Sequence, residues 1–179
     1  MNAVVEEDAS TRPVGLRRAW HQTRRALFSL EAHVVALHRL GRYCARLPGV
    51  GTTLALVVRH AMRVYSGCDV SFDAEIGRHL RLPHPLGIVI GDGVRIGDDV
   101  MLWHGVTLGS HGRRGTGRTY PTIGDGVRIY ANASVIGPVT IGAGAIVGAH
   151  ALVTIDVPPG ATAVGVPARV VGRVETAGA

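Results

Sequence analysis

One histidine in this sequence is held by its neighbours in a way that suggests chemistry. His84 lies in the segment LPHPLGIVIG between Pro83 and Pro85, whose rings fix φ and remove two backbone donors. A regular helix or strand ladder does not tolerate this pattern, so we expect a rigid turn that presents His84. An imidazole titrates near neutral pH, which suits a general base.

Other side chains could bind a metal or an anion. His79 and His104 flank His84 in the sequence, and histidine is a ligand for zinc. The glycine-rich segment GSHGRRGTGRTYP carries three arginines that would either attract phosphate groups or lie in solvent: Arg113, Arg114 and Arg118. Cys44 and Cys68 have no spacing typical of a metal site or a disulfide framework.

From about residue 69 the chain repeats with a period of six. The aliphatic positions are Ile76, Leu82, Ile90, Ile96, Leu102, Leu108, Ile123, Ile129, Val135, Ile141, Val147 and Val153, and glycine often follows them. A six-residue unit cannot bury its aliphatic side chain alone, whereas stacked units bury a continuous column. The repeat therefore predicts a β-helix, with four coils of a triangular prism for these twelve positions.

The repeat is interrupted twice. Leu82 and Ile90 are eight residues apart, so two residues are forced out of the coil beside His84. Leu108 and Ile123 are fifteen residues apart, which predicts a nine-residue excursion that carries the arginine-rich segment. A repeat fold that leaves its register in two places usually does so for a site.

The chain is predicted to divide into four segments, one of which is this repeat. Residues 1–13 are predicted to be a disordered tail, and residues 14–66 to be helical because apolar residues recur every three or four positions. The segment LPGVGTT at 47–53 divides the helical part in two. Residues 69–172 form the predicted hexapeptide-repeat domain, and residues 173–179 form a C-terminal tail.

The charge is concentrated in the first third of the chain. The net charge is +6, and residues 1–68 hold ten arginines against four acidic residues, which accounts for the entire surplus. A basic helical surface makes an acidic carrier protein a candidate partner, while no motif for nucleic-acid binding accompanies the charge. The N-terminus lacks the order of a secretory signal, and the run TTLALVV is too short to span a bilayer, so we expect a cytoplasmic protein.

The chain from Asp69 to about Gly172 resembles the serine O-acetyltransferases of the hexapeptide acyltransferase superfamily. The matching segments are DVSFDAEIG, HPLGIVIGDGVRIGDDV, VTLGS, PTIGDGVRIYANASVIGPVTIGAGAIVGAHALV and VPPGATAVGVPARVVG. The resemblance implies an all-β main domain, a left-handed parallel β-helix, preceded by a short α-helical segment. It also implies a homotrimer with active sites between neighbouring prisms, and acetyl-CoA as the acyl donor without a metal.

The resemblance also implies roles for individual residues. Asp69 and His84 match the catalytic aspartate and histidine of the family. Positions that bind CoA are matched by Gly109, Ala131, Ala149 and Arg169. In this reading His84 is the general base, Asp69 orients its imidazole, and the acceptor attacks the thioester directly without an acyl-enzyme.

Two departures from the family concern the amino-acid acceptor. The family has an aspartate before the catalytic histidine, where this chain has Pro83, and an Arg-His pair where it has Thr119 and Tyr120. Both ends of an amino-acid clamp thus differ, although the helical segment could supply Glu31 or Arg63 instead. We therefore expect acyl transfer to a small hydroxyl- or amine-bearing acceptor, contacted by Thr119 and Tyr120.

Three alternatives stay open at this point. The first is plain L-serine O-acetylation, as in cysteine biosynthesis. The second is a metal-dependent lyase like the γ-type carbonic anhydrases, with His79, His84 and His104 as candidate ligands. The third is a non-catalytic module that docks a carrier protein on the basic helices.

Overall fold

The computed structural model describes residues 29–112 and 117–173. Two helices come first, α1 (Leu30–Ala45) and α2 (Gly51–Ser66). The strands that follow are β1 (Asp69–Val70), β2 (Glu75–Ile76), β3 (Val89–Ile90), β4 (Arg95–Ile96), β5 (Met101–Leu102), β6 (Thr107–Gly109), β7 (Thr122–Ile123), β8 (Arg128–Ile129), β9 (Ser134–Ile136), β10 (Thr140–Ile141), β11 (Ile146–Val147), β12 (Leu152–Val153), β13 (Ala161–Val164) and β14 (Arg169–Arg173). Within these residues, no helix has the length and apolarity needed to cross a membrane.

The strands stack into three faces of a prism. The first face has the order β1-β3-β6-β9-β12, the second β2-β4-β7-β10, and the third β5-β8-β11-β13-β14. Neighbouring strands pair in parallel, except that β14 folds back antiparallel to β13 and ends the third face. This is the left-handed parallel β-helix with helices in front of it, so the predicted fold class is confirmed.

The aliphatic residue of each repeat points into the prism. Eleven of the twelve predicted positions are buried, and Ile76, near the end of the prism that α1 covers, is half-buried. Leu102, Ile129 and Val147 show the column: they pair in register through β5, β8 and β11 and are completely buried. Burying each such side chain contributes about 1.5–3 kcal/mol, so the stacked aliphatic residues hold the coils together.

Two columns of left-handed residues turn the corners of the prism. Between the second and third faces these residues are His79, Asp99, Gly126, Gly144 and Gly160. Between the third and first faces they are Gly87, Gly105, Asn132 and His150. After the first coil, amide-to-carbonyl bonds link each of these corners to the coil before it, as from Asn132 to His104 at 2.9 Å.

Helix α1 is attached to the first coil by side-chain hydrogen bonds and by tight packing. The His38 imidazole donates from Nε2 to the Ser71 carbonyl at 3.1 Å, and Arg42 donates to the Ala74 carbonyl at 3.0 Å. Gly41 faces the Phe72 ring so closely that an added Cβ would collide with it. Helix α2 then ends at Gly67, whose φ of 64° lets the chain turn into β1.

The division of the chain into four segments stays a prediction. The tail at 1–13 and the helical stretch at 14–28 lie outside the described residues. So does the C-terminal tail, except that Arg173 ends β14.

Candidate active site

His84 lies on the corner that leads from the third face into the first. The buried residues that flank this corner, Leu82 and Ile88, are six positions apart. In the next coil the equivalent buried residues, Leu102 and Val106, are only four positions apart. The two additional residues protrude from the prism, and His84 is exposed there.

The backbone around His84 is rigid and strained. His84 has a φ of 53°, in the left-handed region that non-glycine residues seldom adopt. Its carbonyl accepts a hydrogen bond from the Leu86 amide at 2.8 Å, and the buried Cys68 thiol donates to the Pro85 carbonyl at 3.1 Å. These bonds and the two proline rings fix the direction in which the imidazole projects.

An open groove lies on one side of His84. Its lining residues are His84, Leu86, Gly87, His104, Gly105 and Asn132. At Gly105 an added Cβ would collide with the Asn132 side chain, so glycine keeps the groove floor low. The surface on this side of His84 is thus shallow, and an elongated ligand could lie along it.

A smaller pocket lies on the other side of His84, toward the start of α1. It measures about 310 Å³ and is lined by Ser29, Leu30, Glu31, Leu82, Pro83, His84, Pro85 and Leu86. The Glu31 carboxylate accepts a hydrogen bond from the Leu82 amide at 2.9 Å. His84 therefore stands between a groove and a pocket that contains one carboxylate.

Asp69 is held by two arginines of α2. Arg59 donates from Nε to one carboxylate oxygen at 2.8 Å, and Arg63 donates from Nη2 to the other at 2.5 Å. Partial burial raises the pKa of Asp69, but the bonds and charges of Arg63 and Arg59 outweigh burial, so this pKa lies below its ordinary value. The carboxylate is therefore ionised at neutral pH.

The structure brings Asp69 and His84 into neighbouring positions without joining them. The Asp69 amide donates to the Ile88 carbonyl at 2.8 Å, four residues beyond His84. Among the described residues, however, the carboxylate bonds only to Arg59 and Arg63. The predicted orienting bond from Asp69 to His84 is absent from this arrangement, and the pair stays a prediction. The spacing of four positions puts both arginines on one face of α2, but it does not identify Asp69 as their shared partner.

One histidine and two alanines continue the corner of His84 along the prism. His104, Ala131 and Ala149 occupy equivalent positions in successive coils, because the preceding strands β5, β8 and β11 pair in register. We call these three residues the corner strip. Arg169 pairs with Val164 in the last coil and lies at the C-terminal end of the strip. Four strand spacings separate the coils of His84 and Val164, about 19 Å.

Gly109 lies at the end of β6 on the first face. A Cβ added there would meet no atom closer than 3.7 Å. Packing within this chain therefore does not require a glycine, and the space above it is open to a ligand.

The described residues of the long loop do not line the groove or the pocket beside His84. Tyr120 packs against Gly91 and Gly93, where an added Cβ would come within 2.5 Å of its ring. Arg118 donates to the Thr122 hydroxyl at 2.8 Å and pins the loop to the second face. The lining of the groove and the pocket includes neither Thr119 nor Tyr120, and Arg113 and Arg114 lie outside the described residues.

The candidate zinc ligands are not gathered together. His79 lies on the corner between the second and third faces, and its Nδ1 is 3.1 Å from Asp99. His84 and His104 share the groove on the other corner. Among the described residues there is no group of three His, Cys, Asp or Glu side chains that could hold a metal ion.

Comparison with known proteins identifies relatives of this chain. The model for the bacterial transferase hexapeptide (six repeats) family matches residues 120–154. A serine acetyltransferase from Mycobacterium tuberculosis (strain ATCC 25618 / H37Rv) is 42% identical over 145 residues, which are 79% of this chain and 60% of that protein. A serine acetyltransferase from Helicobacter pylori (strain J99 / ATCC 700824) is 40% identical over 120 residues, 67% of this chain and 70% of that protein.

A solved structure has the same architecture. The serine acetyltransferase from Brucella abortus strain S19, in complex with coenzyme A, superposes with a TM-score of 0.76 and 30% identity. The match covers 82% of this chain and 57% of that one. The chain thus spans only about 60% of the length of the Mycobacterium relative.

Proposed function

We propose that this chain, which belongs to the serine acetyltransferase family, transfers an acetyl group from acetyl-CoA to the hydroxyl of L-serine. The observation that carries the proposal is the placement of exposed His84 between an open groove and a small pocket. The groove is suited to an elongated donor and the pocket to a small acceptor. One imidazole then contacts both reactants.

His84 acts as general base in the proposed reaction. It removes the serine hydroxyl proton while the hydroxyl oxygen attacks the thioester carbonyl carbon. A C–O bond forms, the C–S bond breaks, and the imidazolium returns the proton to the CoA sulfur. The acceptor reacts directly, so no acyl-enzyme forms. General-base assistance increases the rate about 10²–10⁴-fold.

The corner strip supports the use of a CoA thioester. The corner strip spans about 19 Å between the coil of His84 and that of Val164, and Ala131 and Ala149 keep its surface low in their two coils. Arg169, which is exposed, ends this path with a guanidinium suited to a phosphate group. In this proposal Gly109 lies under the donor as well, because a side chain there would occupy open space.

Asp69 has an indirect part in the proposed site. An ionised carboxylate near the imidazole stabilises the imidazolium that forms during the reaction. Arg59 and Arg63 hold this carboxylate in place. They also lower its affinity for a proton, so Asp69 stays ionised and does not compete with His84 as a base.

The comparisons favour serine over the other small acceptors predicted from the sequence. That prediction depended on Pro83, Thr119 and Tyr120, which lack the family's charged groups. The named relatives are serine acetyltransferases in each case. Plain serine acetylation, the first alternative above, is therefore the better supported proposal, and the carrier-protein partner stays a prediction.

Purified protein with acetyl-CoA and a panel of acceptors tests this function. We expect release of CoA and formation of O-acetylserine with L-serine, with kcat/KM of at least about 10⁴ M⁻¹s⁻¹. L-alanine, which lacks the hydroxyl, is the matched control and should give none. Turnover with a sugar or an amino alcohol but not with L-serine would contradict the proposal and restore the other acceptors.

A further inference from the structure

A carboxylate from α1 lies in the pocket that His84 borders. Glu31 is in the first turn of the helix, two positions after the N-cap Ser29, and both residues line the pocket. Its Oε1 accepts the Leu82 amide at 2.9 Å, and Leu82 is only two positions before His84. The contact spans 51 positions of sequence, so the fold alone brings this acid to the site.

We infer that Glu31 binds the ammonium group of the acceptor amino acid. The inference rests on the proposed function and deepens it, because it assigns the residue that makes the pocket selective for an amine-bearing acceptor. Glu31 is the only acidic side chain among the described residues that line the pocket or the groove. Pro83, next to the base, offers neither a polar side chain nor an amide proton.

The hydrogen bonds of Glu31 leave one oxygen for a ligand. Oε1 is bonded to Leu82, and Oε2 has no hydrogen-bond partner among the described residues. An ammonium group bonded to Oε2 would make a charge-assisted hydrogen bond inside a partly enclosed pocket. The hydroxyl of the same small molecule can then reach His84, which lines the same volume of about 310 Å³.

The contact with Leu82 offers a competing, purely structural explanation for the presence of an acid at position 31. An acid in the first turn of a helix is favourable by itself, and the Leu82 amide needs an acceptor. Glutamine at position 31 keeps a carbonyl oxygen for that amide and removes only the negative charge. E31Q therefore separates ligand binding from the structural role.

The experiment compares two acceptors that differ only in the amine. L-serine and 3-hydroxypropanoate share the hydroxyl and the carboxylate, and 3-hydroxypropanoate has no ammonium group. We expect E31Q to lower kcat/KM for L-serine about 10- to 100-fold and to leave the value for 3-hydroxypropanoate within about 2-fold. E75Q is the matched control, because Glu75 is exposed on β2, paired with Arg95 and outside the pocket.

Each outcome decides a different question. If E31Q lowers kcat/KM equally for both acceptors, or leaves kcat/KM for L-serine unchanged, Glu31 does not bind the ammonium group. If the wild-type protein itself fails to acetylate L-serine, the proposed function is wrong and the role of Glu31 falls with it. A melting temperature for E31Q equal to that of the wild type shows that the variant is folded in either case.

Discussion

The conformation of His84 is costly, and its neighbours maintain it. A non-glycine residue in the left-handed region costs about 1–3 kcal/mol, and the residue before a proline is restricted further. His84 has a φ of 53° and precedes Pro85. The buried Cys68 and the Leu86 amide bond to this turn and hold it. Strain that the surroundings enforce is typical of functional sites.

At the scale of the residue, H84N should abolish acetyl transfer and leave the fold intact. Asparagine tolerates the left-handed region but cannot serve as a general base. We expect kcat to fall about 10²–10⁴-fold. H79N is the matched control. His79 is also exposed and has a left-handed φ of 56°, but it lies on the corner between the second and third faces. An H84N variant that keeps more than about a tenth of wild-type turnover would exclude His84 as the base.

At the scale of the element, α1 is attached to the prism by a buried imidazole. His38 is 4% exposed, and its Nε2 donates to the Ser71 carbonyl. Burial lowers the pKa of His38 to about 4, with further lowering by the charges of Arg42 and Arg39, while the bond to Ser71 acts in the opposite direction. The folded protein therefore holds this group neutral. Because Glu31 is on the same helix, this attachment also positions the pocket.

Acid should loosen this attachment. The unfolded chain protonates His38 near pH 6.5 and the folded one near pH 4, so the unfolded state binds more protons between these values. The free energy of unfolding therefore has its full value above about pH 6.5. It decreases by about 3 kcal/mol as the pH drops toward 4. H38Q keeps a donor for Ser71 without titrating. Denaturant unfolding at pH 7.5 and pH 4.5 should show a loss of about 2–3 kcal/mol in the wild type that H38Q lacks.

An equal loss in both proteins would assign the acid sensitivity to other groups. Asp69 acts in the same direction but at lower pH. Its pKa is depressed by Arg63 and Arg59 against partial burial, so its contribution is present above about pH 4 and is lost as the pH falls through its folded pKa. Both pH values of the unfolding measurement, 7.5 and 4.5, lie above this range, so His38 dominates the comparison over Asp69.

At the scale of the whole molecule, the candidate site of one chain is open on one side. The groove beside His84 is shallow, and Leu86 and Val89 expose 56% and 40% of their surfaces close to it. Tyr120 packs against Gly91 and Gly93 and does not line the groove or the pocket of the same chain. A neighbouring prism would cover the groove and could bring its own loop to it. This geometry agrees with the homotrimer that the family resemblance implies.

We therefore predict a trimer that is required for activity. Light scattering should give three times the chain mass of 18.8 kDa, about 56 kDa. Dilution that dissociates the assembly should remove activity, because the groove would lose its second wall. A monomer that is active at the assay concentration would contradict the prediction.

Some features of this protein follow from its sequence. The six-residue period predicts the coils because each aliphatic residue must be buried by its neighbours, a local requirement repeated along the chain. The eight-residue step at His84 predicts a protruding corner for the same reason. The family resemblance added the handedness of the helix and the likeness to serine acetyltransferases, which periodicity alone does not contain.

Other features were decided only by the tertiary structure. Asp69 is bonded to Arg59 and Arg63 rather than to His84, and Glu31 enters the pocket from a helix 51 positions before Leu82. His38 is neutral because α1 is packed against the first coil. None of these contacts repeats along the chain, so the periodicity of the sequence does not predict them. They depend on how the helices lie on the prism, which is the sum of many distant contacts rather than of any local pattern.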